Sequence, residues 1–63
     1  MQTVTVGQMV RVLNTEPHGL ASWEADAVRR MHQESHHGLR PWLLNLRQVE
    51  LVNTIFHRLY HAA

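Results

Sequence analysis

Residues 46–61 constrain this chain most. Advancing by 100° per residue, Val49, Val52, Ile55, Phe56, Leu59 and Tyr60 fall on one side of a helix. Arg47, Glu50, Thr54, His57, Arg58 and His61 fall on the other. With Leu46 and Leu51 included, the apolar arc widens to roughly 200°, against the ~100° stripe of an ordinary surface helix. Such a helix needs neighbours on more than one side. Two short segments of the same chain would still leave Leu51 close to Arg47 and Arg58. The excess therefore points to a second chain or a partner protein.

The 63 residues make one domain, residues 1–63, and contain no cysteine. A chain this short buries only about 60% of its unfolded surface, so a lone monomer is marginal. Disulfides and thiolate zinc sites are excluded. Helix packing, a partner chain or histidine-bound metal remain as supports. The apolar fraction is that of a globular protein, which argues against disorder. No run is apolar over the ~20 residues a bilayer crossing needs, and the N-terminus lacks the pattern of a signal peptide. The expectation is a cytoplasmic protein without a membrane partner.

Local signals divide the rest of the chain. Thr5 and Gln8 match a capping box, with Val4 and Met9 placed as its hydrophobic staple, and Val6, Met9, Val10 and Leu13 follow helical spacing. The alternative for Thr3 to Leu13 is a strand or hairpin, because Val4, Val6, Val10 and Val12 alternate. The string Val6–Val12 resembles the first strand of small SH3-like barrels, which would go with that alternative. Pro17 and Gly19 then break the chain. Ser22 fits an N-cap, with a helix from about Trp23 to His36 whose apolar side is Leu20, Trp23, Ala27, Val28 and Met31. Gly38 stops it. A short turn is expected near Pro41 to Leu44. A second capping box, Asn45 and Gln48, then opens a helix from about Leu46 to His61. The fold expected is all-α, a compact three-helix domain that dimerises, with α+β as the alternative.

Three sets of residues carry candidate chemistry. His32 and His36, like His57 and His61, stand four residues apart, a spacing that puts two imidazoles on one helix face. Two such pairs could supply four ligands to a zinc ion. They could also form a pH-sensitive surface. The plainer reading places His36, His37 and His61 in last turns, where positive charge complements the helix dipole.

All six basic residues are arginine. Arg29, Arg30, Arg40 and Arg47, with Asn45, could meet a nucleic acid if helix, Gly38 turn and helix formed a helix-turn-helix. A formal net charge of +1 speaks against a small DNA-binding domain and for a solvated arginine face.

Trp23 and Trp42 are either partner anchors or core, and in a chain this small the core is the simpler expectation. No nucleophile, phosphate-cradling loop or acid pair is evident, so neither an enzyme nor a small-molecule substrate is expected. The leading functional reading is a non-enzymatic protein-protein interaction module without a cofactor. Trp42, Leu51, Ile55 and Tyr60 are its interface candidates. A dimeric transcriptional regulator and a histidine-based zinc or pH sensor are the alternatives.

Overall fold

The computed structural model describes residues 4–60. It contains three α-helices, α1 (Val6–Thr15), α2 (Ser22–Glu34) and α3 (Leu46–Tyr60), with a 3-10 turn over Pro41–Leu43. Among the described residues there is no strand, which removes both the N-terminal strand and the barrel-like resemblance. The local reason is the capping box. The Thr5 hydroxyl accepts from the Gln8 N–H at 3.1 Å, and the Gln8 side chain accepts from the Thr5 N–H at 2.9 Å. Met9, Val10 and Leu13 are then buried at helical spacing, while Val4 and Val12 of the alternating set remain exposed.

The same device opens α3. Asn45 accepts from the Gln48 N–H at 2.8 Å, and Gln48 returns the bond to the Asn45 N–H at 2.9 Å. Helix α2 starts differently. Ala21 takes the N-cap position, and Ser22 is already helical with no capping bond. The Glu24 carboxylate accepts from the Ala21 N–H at 2.9 Å, and this bond fixes the start one residue early.

The helices run up, down and up. Arg58 near the end of α3 reaches Glu24 near the start of α2, and Gln48 near the start of α3 donates to Glu34 at the end of α2 at 2.7 Å. Gly7 at the start of α1 abuts Gly38 just past the end of α2. Helix α1 packs against both others. The core joins Met9, Val10 and Leu13 of α1, Val28 and Met31 of α2, Leu44, and Val52 and Ile55 of α3. Val49, Leu51, Phe56 and Leu59 pack around it. Most of the wide arc on α3 is thus covered from within the chain.

Helix α2 is rotated relative to the sequence expectation. Its inward stripe is Glu24, Val28 and Met31, continued by Ser35. Trp23 lies roughly 110° off the centre of that stripe at 100° per residue. Its side is 61% exposed, so it is not core.

Candidate functional site

Large apolar side chains are exposed along the connection between α2 and α3 and at the first residue of α3. Leu39 is 68% exposed, Trp42 73% and Leu46 72%, and Leu43 is half-exposed between them. The segment is positioned from below. Leu44 is buried in the core and anchors it. The 3-10 turn is closed by Leu44 N–H to the Pro41 carbonyl at 3.1 Å. Proline suits such a turn because its missing N–H is not needed there. With Leu44 turned inward, its neighbours are carried outward. Arg40 and Arg47 flank the patch, and no acidic residue occurs between Ser35 and Val49.

The interface residues expected from sequence fare differently. Trp42 is in this patch. Tyr60 is partly exposed at the opposite end of α3, stacked on Phe56 with ring centres 4.8 Å apart. Leu51 is half-buried against the core. Ile55 is 1% exposed and so unavailable to a partner, because it belongs to the core shared with α1 and α2. Leu39, Leu43 and Leu46 were not singled out as a surface, although five large apolar residues in eight, with one proline, are visible in the sequence.

The nucleic-acid candidates are scattered in their commitments. Arg29 pairs with Asp26 at 2.7 Å one turn away. The Asn45 side chain is held in its cap. Arg30, Arg40 and Arg47 are exposed. Residues 35–45 separate α2 from α3, far more than the 3–4-residue turn of a helix-turn-helix. The expected docking geometry is therefore not formed.

The histidine pairs do not assemble as expected either. The α2 end at Ser35 explains why. Ser35 is fully buried; its hydroxyl donates to the Met31 carbonyl at 2.6 Å and accepts from the Gly38 N–H at 3.1 Å. His36 follows in the left-handed region, at φ +52°. The His37 N–H reaches back to the His32 carbonyl at 2.7 Å, and the His36 N–H to the Gln33 carbonyl at 3.2 Å. These two bonds define a Schellman C-terminus, in which the residue two past the cap meets the residue three before it. His32 therefore faces His37, with ring centres 4.9 Å apart in edge-to-face contact, and not His36. His57 sits next to Arg58, which is bound to Glu24, while His32 is eight residues further along α2, about 12 Å by helix rise. A four-histidine zinc site joining both pairs is thus not formed. His61 lies outside the described residues. Among the described residues, no three or more histidines or carboxylates are gathered for a metal.

One buried charge was missed. Glu24 is 5% exposed and accepts both guanidinium nitrogens of Arg58, at 2.8 and 2.9 Å. The Arg58 bond, then the Ala21 N–H, hold its carboxyl below the usual value, and the same pairing raises Arg58. His32 is pushed down from 6.5, first by burial and then by the neighbouring charges of His37 and Arg11. A shallow concavity of about 370 Å³ runs along the outer side of α1 between Gln8, Arg11, Val12, Thr15, Glu16 and Tyr60. No helix among the described residues is long and apolar enough to cross a membrane. Comparison with protein-family models, with curated proteins and with solved structures gives no match.

Proposed function

We propose that this chain is a small non-enzymatic interaction module that docks through the Leu39–Leu46 segment, with a second copy of the chain as its first partner. The carrying observation is the exposure of Leu39, Trp42 and Leu46 on a rigidly anchored turn. Tryptophan beside arginine is the composition of binding hot spots, and each of these side chains gains by leaving water. The small size of the chain favours self-association, and a two-fold dimer is the commonest closed assembly. A copy brings an exposed carboxylate, Glu50, for Arg40 or Arg47.

Sedimentation velocity over a wide concentration range tests this reading. The wild-type chain is expected to associate reversibly. Trp42→Ser and Leu46→Ser are expected to shift that association at least tenfold towards monomer while leaving the thermal melt of the monomer nearly unchanged, since neither side chain is in the core. A chain that stays monomeric at millimolar concentration, or variants that associate as the wild type does, would overturn it. Leu51→Asp is a poorer probe, because Leu51 packs on the core and a carboxylate there is expected to destabilise the domain as well.

A further inference from the structure

We infer that His32 and His37 form a two-imidazole chelate for a borderline divalent transition metal, such as Ni²⁺, Cu²⁺ or Zn²⁺, built on the C-terminal cap of α2. The inference does not depend on the docking surface. Three observations support it. The first is distance. An imidazole nitrogen lies 2.0–2.1 Å from a bound ion, which puts each ring centre about 3.2 Å away, so two rings on one ion at a near-tetrahedral angle have centres about 5 Å apart. The observed separation is 4.9 Å. Rings on one ion turn freely about their metal–nitrogen bonds, so the 67° angle between them is compatible.

The second observation is preorganisation. The 2.7 Å bond from the His37 N–H to the His32 carbonyl closes the Schellman turn, and the buried Ser35 hydroxyl holds it from inside. The two imidazoles are brought together by backbone bonds that exist without a metal. In such turns the same two positions often carry an apolar contact. Here both carry a ligand type that suits these ions. The third observation is access. His37 is exposed and His32 half-buried, so the open side of the pair leaves room for water to complete the coordination.

One feature opposes the ion. Arg11 of α1 lies over the same turn, with its Cγ 2.7 Å from where a Cβ on Gly38 would stand, and it contributes positive charge at His32. With two protein ligands and this neighbour, binding is weaker than at a closed three- or four-ligand site.

The test uses the full-length chain without an affinity tag. Thermal melts are followed at neutral pH in Ni²⁺ or Zn²⁺, with Mg²⁺, which prefers oxygen ligands, as a control. The melting temperature is expected to rise with the logarithm of metal concentration, because the folded state alone presents the pair. His36→Asn and His37→Asn make the decisive comparison. Both positions have positive φ, which asparagine tolerates, so the two variants perturb the backbone alike. His37→Asn and His32→Gln are expected to weaken binding at least tenfold, His36→Asn to leave it unchanged, and Arg11→Gln to tighten it. Absence of a shift up to millimolar metal, a shift that survives His37→Asn, or one lost in His36→Asn would each overturn the inference.

Discussion

Gly7 and Gly38 are the residues with least room for change. A methyl added at Gly7 would run into the Gly38 carbonyl oxygen, and one added at Gly38 would stand 2.6 Å from the Gly7 carbonyl oxygen. Helix propensity alone argues the opposite at Gly7, where alanine is about 1 kcal/mol better in a helix interior. The contact is backbone against backbone, which cannot swing aside, so overpacking should win. Gly7→Ala is expected to destabilise the domain by about 1–3 kcal/mol in urea unfolding. A stabilised variant would show that the start of α1 and the turn after α2 are not in contact. Glycine in the first turn of α1 weakens a helix when read locally. Its reason lies 31 residues away, in a backbone that passes over it.

The starts of α1 and α3 are legible in the sequence, whereas the start and the end of α2 are not. Both capping boxes join residues three apart, so Thr5 with Gln8 and Asn45 with Gln48 are legible from a four-residue window. The end of α2 depends on a buried serine and two left-handed histidines, and nothing local announces that His36 and His37 adopt positive φ. That conformation costs a non-glycine residue roughly 1–2 kcal/mol, offset in part by the greater freedom glycine would have when unfolded. His36→Gly is therefore expected to raise stability by up to about 1 kcal/mol, measured as a higher urea midpoint at unchanged slope. A loss of stability would mean that the His36 side chain makes contacts that outweigh its backbone strain. The inward turn of Glu24 was equally illegible, since its partner is 34 positions away and a carboxylate on the core side reads as an error until Arg58 is in place. Displacing Trp23 from the apolar side follows from the same pairing. The surface patch was half legible: Trp42 stood out, but Leu39 and Leu43 had no assignment and Leu46 counted only in the arc of α3, and it is the burial of Leu44 that carries them outward.

For the molecule as a whole, the two perturbed groups that take up protons in acid, Glu24 and His32, set the response to acid, and they act with the same sign. Glu24 has its pKa lowered from 4.5 by Arg58 and the Ala21 N–H, so its contribution is complete above its unfolded value and is lost as pH falls through the lower folded one. His32 is lowered from 6.5 by burial and by His37 and Arg11. The unfolded chain takes up that proton first, so the advantage of a neutral His32 is full above about pH 6.5 and shrinks as pH falls towards the folded value. At this helix end, burial and two other basic groups oppose the favourable dipole that a cation finds at a C-terminus, and the His32 shift is downward. Acid should therefore lower stability in two stages, first across the histidine range and then below the ordinary carboxylate range. Urea unfolding from about pH 8 to about pH 3 measures both. His32→Gln is expected to flatten the upper stage only. Glu24→Gln is expected to lower stability at neutral pH, because it leaves Arg58 without its bidentate partner, and to flatten the lower stage only. A domain that gains stability between about pH 7 and pH 5 would mean that the dipole dominates at His32 after all, and that burial does not hold the imidazole neutral.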